Sequence, residues 1–316
     1  MTMTTSRSAG SELGRGTEVP QRDHRWRTFR ERAPIIGMMA PALLVFGVFM
    51  ILPMIMTFGL SFTPSGFVPS WEWIGFDNYE RVFGSAQARR SLSITVIFAI
   101  VTTVALNVLG LAFAHALNHP GRLTIIYRAI VFFPIILSQI VVGFLWRDLL
   151  SRRGSINSIL DVFGFDPFPF LARPTSALSS LMFVSVWQAL GFTMVLYLVA
   201  LQGIPKDMQE ACLIDGASPW QRFRFVTLPM IAPAITVNVM ALLIWGMREY
   251  DRVKALTDGG PARSTETAAV FIVDEALSRS RLGFSQALAV ILLLLVGLTA
   301  AVLTRWFQRN ERKVAM

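Results

Sequence analysis

Between two long apolar runs the chain carries Pro205-Lys-Asp-Met-Gln-Glu-Ala-Cys-Leu-Ile-Asp-Gly-Ala-Ser-Pro-Trp-Gln-Arg-Phe-Arg-Phe-Val-Thr-Leu-Pro229. Its local chemistry specifies helix, turn, helix. Pro205 suits the first turn of a helix, where its missing N–H is not needed. Asp207 and Glu210 lie early in that helix, which favours its dipole. Gly216 fits the left-handed position just past a helix end. Ser218 then reads as an N-cap, Pro219 as the first helical residue, and Gln221 completes a capping box. Arg222 and Arg224 follow, and Pro229 lies near the start of the next apolar run. A charged, structured helix pair where a turn would suffice reads as a docking handle for a soluble partner. The competing reading is an amphipathic hairpin lying on lipid headgroups. Against it, Asp207, Glu210 and Asp215 have the wrong sign for an anionic leaflet.

The flanking runs place this loop in a membrane protein. Of the 316 residues, 53% are hydrophobic and 16% charged, against about 25% charged in a soluble domain. A span needs about 20 apolar residues. Stretches free of Asp, Glu, Lys and Arg number six: Ala33–Trp71, Ser91–Gly121, Ala129–Trp146, Pro174–Pro205, Phe225–Met247 and Leu282–Thr304. The third covers roughly 27 Å as a helix, just enough to cross, and its Pro134 predicts a kink or a late helix start. Six spans put both termini and the 205–224 loop on one side. That side holds 16 of the 29 Lys and Arg. Arg25, Arg27, Arg30 and Arg32 crowd the first run, and Arg305, Arg309, Arg312 and Lys313 the last. By the positive-inside rule this side is cytoplasmic.

The polar, Arg-rich tail over residues 1–32 reads as disordered and orienting. The apolar run after it exceeds the 7–15 residues of a secretory h-region. The net charge of +9 is explained by this topology, and nucleic acid is not an expected partner. The single cysteine, Cys212, excludes an internal disulfide and gives no metal-ligand spacing.

The loop resembles the EAA loop of ABC-importer permeases, whose pattern is Glu-Ala-Ala, then Asp-Gly-Ala, then Leu-Pro. Glu210, Ala211, Asp215, Gly216, Ala217, Leu228 and Pro229 match, and Cys212 replaces the second alanine. The resemblance extends over roughly residues 35–307 and is strongest to the carbohydrate-uptake branch, in its larger maltose-type and glycerol-phosphate-type permeases. Trp71 and Gly75-Phe-Asp-Asn-Tyr79 are similar to that branch's first external loop. Phe133-Pro134, Ser138, Gly143, Trp146 and Gly154 to Asn157 are similar to its third span and following loop. Trp187, Gly191, Leu201 and Ile204-Pro205 match the run into the coupling loop. Tyr250-Asp251, Leu256-Thr257, Gly259-Gly260-Pro261 and Thr265-Glu266-Thr267 match a segment characteristic of that subunit class.

The resemblance implies an all-α integral membrane protein of six transmembrane helices, with the type I ABC importer permease fold and a cytoplasmic coupling-helix loop at 205–229. It implies a permease domain over 33–307 and a short C-terminal tail over 308–316. Implied partners are a cytoplasmic ABC ATPase dimer that binds ATP and Mg, a second homologous permease, an extracellular or periplasmic solute-binding protein, and a sugar-like substrate. No catalytic residue, metal or cofactor is expected in this chain, which is expected to sit multi-pass in the cell's inner or plasma membrane. It has no G-x-x-x-x-G-K-[ST] loop, so nucleotide hydrolysis belongs to another polypeptide.

Polar residues within the runs tend to face cavities or partners. They are Asn107, His115, Gln139, Gln188, Thr193 and Asn238. Asn107 and Asn238 read as interhelical hydrogen-bonding groups, and His115 as an interfacial histidine. Trp245, Arg248, Glu249 and Tyr250 end the fifth run. An aromatic ring beside paired charges suits a polyhydroxy solute, and the maltose-type resemblance implies sugar contacts in this part of the span. The opposing reading is an Arg248–Glu249 pair snorkelling to the interface beside an aromatic-belt Trp245. Thr267 is expected to cap a helix over 268–280. Arg248-Glu249 also departs from the family, which is usually less charged there.

Three alternatives remain: a permease for a non-sugar solute, a stand-alone secondary transporter, and an intramembrane enzyme. The second needs buried carboxylates or broken helices as ion sites, and the six runs contain no Asp or Glu. The third needs clustered nucleophiles, bases or metal ligands, which His115 alone does not supply.

Overall fold

The computed structural model describes residues 38–64, 66 and 72–314, and among these every regular element is helical. In chain order the helices are α1 (Met38–Leu60), α2 (Asp77–Gly84), α3 (Ala86–Ala116), α4 (Arg122–Phe132), α5 (Gln139–Leu149), α6 (Ser155–Val162) and α7 (Pro174–Gln202). Then follow α8 (Lys206–Ile214), α9 (Pro219–Met230), α10 (Ala232–Met247), α11 (Asp251–Leu256), α12 (Ala268–Leu277) and α13 (Leu282–Val314). Met38–Ile55 belongs to a unit of its own, an apolar helical segment with a π turn at Gly47–Ile51. The second unit, from Met56 onward, holds both candidate sites.

Four helices (α1, α3, α7 and α13) are each long and apolar enough to cross a membrane. Two more candidates exist only as bent pairs. One joins Arg122–Ile136 to α5 at 101°, and the other joins α9 to α10 at 66°. The described residues thus hold four to six candidate spans.

The first bend is the kink expected at Pro134, and the second corrects the expectation of an unbroken fifth run. Residues 129–146 do not form one straight crossing. After α4 the chain tightens into a 3-10 turn, Phe133–Ile136, with Pro134 near its start, then extends at Leu137 (ψ 142°) and Ser138 (ψ 139°) before α5 begins. Proline removes an N–H and clashes with the preceding turn, so a helix cannot run through unbent. Residues 225–247 likewise do not form one straight helix. The helix starts at Pro219 and breaks at Ile231, two residues before Pro233. At the other end α13 continues past the expected boundary at residue 307 to Val314. The 1–32 tail, the start of the first run before residue 38, and Trp71 lie outside the described residues.

The centre of the second unit is the α3–α7 pair, and α10 lies against α3. Residues buried on α3 are mostly small, including Ala88, Ser91, Thr95, Ala99, Thr102, Thr103, Gly110 and Ala114. Small side chains let spans approach closely where lipid supplies no hydrophobic drive between helices. The buried hydroxyls of Ser91, Thr95, Thr102 and Ser185 donate to carbonyls three or four residues earlier on their own helices. That bond satisfies a hydroxyl in an apolar core without a partner helix.

Asn107 and Asn238 do bridge spans. Asn107 Oδ1 accepts from Asn238 Nδ2 at 3.1 Å and from the Tyr197 hydroxyl, joining α3, α10 and α7 at one atom. Thr267 sits at the α12 N-cap but does not cap it. Its hydroxyl donates to the Glu249 carbonyl at 2.7 Å, and Thr95 of α3 accepts from the Ala268 N–H at 2.7 Å instead. The helix also ends earlier than expected, at Leu277.

Gly191 marks the tightest approach of α7 to the bent third segment. A Cβ there would lie 2.5 Å from Phe132 Cα and 2.5 Å from the Val131 carbonyl oxygen. Neither backbone atom can step aside. Gly191→Leu is expected to cost about 1–3 kcal/mol of overpacking. Detergent-solubilised protein should then show a lower melting temperature and aggregated material in size-exclusion chromatography; an unchanged profile would disprove this contact.

Candidate functional site

The helix–turn–helix foreseen at 205–229 is present. Pro205 stands one residue earlier than expected, at the N-cap of α8 (φ −56°, ψ 135°), with Asp207 in the first turn. The α8 exit is a Schellman motif: the Ala217 N–H donates to the Cys212 carbonyl at 3.0 Å, and the Gly216 N–H to Leu213 at 3.2 Å. Gly216 has φ +71° and open space around its Cβ position. Backbone conformation, and not crowding, therefore requires glycine here. At α9 the capping box is complete, with the Gln221 N–H on Ser218 Oγ at 3.3 Å and the Ser218 N–H on Gln221 Oε1 at 2.8 Å.

The expected coupling residues fall into two groups. Glu210, Ala211, Asp215 and Gly216 are exposed, and Ala217 is half-buried beside them. Leu228 and Pro229 are half-buried, and Leu228 packs on a core of Ala114, Met194, Tyr197, Leu201, Ile204 and Ile231. That core clamps both arms of the loop: Ile204 precedes it, and Leu228 and Ile231 close it. Two residues missed in the sequence complete the tip. Leu213 is 60% exposed and Ile214 86%. Adjacent aliphatics at the tip of a polar loop mark a contact surface. Periodicity did not single them out, because a nine-residue helix with charges on several sides has no clear apolar stripe.

The second cluster lies at the other end of α10. Trp245 is 45% exposed and meets Phe192 edge-on, with ring centroids 6.0 Å apart. Arg248 is exposed and forms no ion pair among the described residues. Tyr250 is half-buried against the core of Phe98, Val142 and Val253. Glu249 is buried, and its partner is Arg252, not Arg248. Arg252 Nε meets Glu249 Oε1 at 3.0 Å and Nη2 meets Oε2 at 2.5 Å, with both side chains under 10% exposed. The expected snorkelling Arg248–Glu249 pair is therefore replaced by a buried, two-pronged Glu249–Arg252 pair. A helical i,i+3 offset was a possible signal for it. The residue break at Arg248–Tyr250, where α10 ends and α11 begins, hid that offset.

The pair continues into the fold. Arg252 Nη1 donates to Gln188 Oε1 at 3.1 Å, and Gln188 Nε2 donates to the Leu137 carbonyl at 2.8 Å. Leu137 is the extended residue at the 101° bend, so its carbonyl lacks a helical partner. Side chains on neighbouring spans commonly satisfy such freed groups. Trp245, Glu249 and Arg252 share a cleft with Ser185 and Thr102 of only 20 Å³, room for about one water. Nearby, hydrogen bonding to Asp258 at 2.7 Å, helped by Asp274 at 3.2 Å, holds the Lys254 ammonium above its usual range against partial desolvation. No group of three His, Cys, Asp or Glu among the described residues is arranged to hold a metal ion.

Residues 106–313 match the family of binding-protein-dependent transport system inner membrane components. The chain belongs to that family. It is 36% identical over 230 residues to the trehalose/maltose transport system permease protein MalF of Thermococcus litoralis, covering 72% of this chain and 78% of that protein. It is 29% identical over 266 residues to the multiple sugar-binding transport system permease protein MsmF of Streptococcus mutans, covering 84% and 91%. Among solved structures, a bacterial alginate ABC transporter in complex with an alginate pentasaccharide-bound periplasmic protein contains a similar chain. The TM-score is 0.81 at 22% identity, over 90% of this chain and 98% of that one. The fold is thus that of an ABC importer permease. The family match begins within α3 and takes in the bent spans, the 205–229 loop and the Glu249–Arg252 pair.

Within this permease, removing one member of the buried pair leaves an uncompensated charge, a loss of about 3–5 kcal/mol. Glu249→Gln should lower both membrane yield and uptake. Glu249→Gln combined with Arg252→Gln should recover much of the yield, measured by fluorescence-detected chromatography. A double variant as poorly folded as the single one would refute the pairing.

Proposed function

We propose that this permease is a subunit of an ATP-driven, binding-protein-dependent importer that moves a sugar or related polyol or sugar phosphate by alternating access. Each bent pair counts as one span, giving six, with both termini and the 205–229 loop on the cytoplasmic face. The permease body covers 33–307, flanked by tails over 1–32 and 308–316. A second homologous permease completes the pathway, an ATPase dimer binds ATP and Mg and docks on the loop, and an external solute-binding protein delivers the cargo. The chain itself does no chemistry. The observation that carries this reading is the exposed, doubly capped loop on a membrane bundle of this family. The names of the trehalose/maltose and multiple-sugar relatives support a carbohydrate cargo.

In this scheme Glu210, Ala211, Asp215, Gly216 and Ala217 present the docking surface, with Leu213 and Ile214 as its apolar knob. Leu228 and Pro229 transmit motion, since they join the loop to the core and to the bend at Ile231. On the solute side Trp245 offers a ring face and Arg248 an unpaired guanidinium, while Tyr250 and the Glu249–Arg252 pair hold them in place. The 20 Å³ cleft is too small for a sugar ring. Cargo therefore needs separation of the spans around Trp245, a change biased by the two external ligands of the cycle.

Leu213→Asp with Ile214→Asp should reduce co-purified ATPase at least tenfold and abolish uptake, with the membrane yield unchanged. Gly216→Val forces a branched residue into φ +71°, costing about 1–2 kcal/mol, and should uncouple ATP hydrolysis from uptake. ATPase retention by the first variant would refute the docking surface. Uptake by the chain without any ATPase would favour a stand-alone transporter. Trp245→Ala should lose uptake with assembly intact; unchanged uptake would remove Trp245 from the solute path.

A further inference from the structure

At the α5–α7 end of the bundle, opposite the 205–229 loop, two clefts adjoin. One, of 770 Å³, is walled by Trp146, Ile156, Phe168, Phe170 and Phe183, with hydroxyls of the first turns of α7, Thr175 to Ser180, along one side. The other, of 690 Å³, is lined by Arg147, Arg152 and Arg173 with Ser151 and Pro169. They share Leu150 and Phe170, so an apolar slot opens directly beneath an arginine-rimmed pocket.

Three observations bear on the occupant. All three arginines are exposed, and none pairs with a carboxylate among the described residues, although Asp148, Asp161 and Asp166 lie in the same segment. They occupy the last turn of α5, the turn after it, and the residue before α7, which is where spans leave the hydrocarbon. Second, the slot opens sideways: Phe183 on α7 is 55% exposed, and the adjoining α6 segment exposes Ile159, Val162, Phe163 and Phe165. Apolar groups so exposed at a span end belong against lipid. Third, the Trp146 indole nitrogen is buried but has no hydrogen-bond partner. It lies edge-on to Phe183 and Trp187, with centroids 5.4 and 5.3 Å away. With that nitrogen closed to solvent, Trp146 offers the slot ring surface and no donor.

We propose that this composite cleft binds one anionic phospholipid. Its phosphodiester is held by Arg147, Arg152 and Arg173, and an acyl chain lies along Trp146, Phe168, Phe170 and Phe183. Guanidinium forks match phosphate oxygens geometrically. A neutral sugar would use the aromatic faces but make no use of the three positive charges. A free phosphate would leave the aromatic slot without a ligand. Only the leaflet rests on the proposed orientation, which places the site in the outer one; the binding chemistry does not.

The test is native mass spectrometry of the detergent-purified chain with its co-purifying subunits, exposed to mixed micelles of phosphatidylglycerol or phosphatidylcholine. Wild type should retain phosphatidylglycerol at least fivefold over phosphatidylcholine. Arg147→Gln/Arg152→Gln/Arg173→Gln should erase that preference, and Phe183→Ala should lower retention of both lipids. Excess glycerol phosphate should not displace the lipid. Should the triple variant fail to assemble, Arg152→Gln alone, in an exposed turn, should at least halve the preference. Equal retention by wild type and the arginine variants would overturn the site. Full displacement by glycerol phosphate would reassign it to a small anion, and cross-linking of a Phe183→Cys variant to another subunit in place of lipid would reassign it to a protein interface.

Discussion

The structure turns on a chain of four polar groups inside the bundle: Glu249, Arg252, Gln188 and the Leu137 carbonyl. Pro134 breaks the third span, and the break frees a partly buried backbone carbonyl at Leu137. Such a group is costly unless bonded. Gln188 bonds it with its amide N–H, which leaves the amide oxygen facing Arg252. Arg252 in turn needs a carboxylate, and Glu249 provides one with both oxygens. Remove any member and the next is left unsatisfied in a region of low dielectric. The chain ties the bent third span, α7 and the end of α10 into one body, and Thr267 on the Glu249 carbonyl adds the start of α12.

That body gives the two ends of the bundle something to act on. The 205–229 loop is anchored through Ile204, Leu228 and Ile231 in one apolar cluster, which also contains Tyr197. Tyr197 shares the Asn107 oxygen with Asn238 of α10. In the proposed cycle a push on the loop would reach α10 through packed side chains and one shared hydrogen-bond acceptor, and Trp245 lies in the last turn of α10. The two bends, at Ile231 and at Leu137, are where a span can change direction without breaking an intact helical ladder.

Several residues that match the family's motifs hold loops in place. Asn78, at 0% exposure, donates to the Ser61 and Thr63 carbonyls, and Tyr79 meets the Ser61 hydroxyl, pinning α2. Asn157 clasps the backbone of Ser151 and Phe168. Thr257 and Thr265 meet hydroxyl to hydroxyl across the Gly259-Gly260 turn. Side-chain amides and hydroxyls of this kind hold loops that have no ladder of their own. A pattern match marks such positions as constrained without saying whether a ligand or the backbone constrains them.

The amino-acid sequence alone determined the membrane class, the positions of the apolar runs and the capped loop with its turn at Gly216. Each of these depends on local chemistry: runs long enough for lipid, a proline at a helix start, a serine three residues before a glutamine, a glycine where φ is positive. The tertiary structure decided which charge pairs with which. Glu249 has Arg248 beside it in the chain, yet the turn after α10 swings Arg248 outward and brings Arg252 inward. It also decided how far the third and fifth runs bend, and that Leu213 and Ile214 form the tip of the loop. These outcomes depend on distant groups such as Gln188, Leu137 and Ile231. Their influence falls off with distance in space, and separation along the chain does not reveal it.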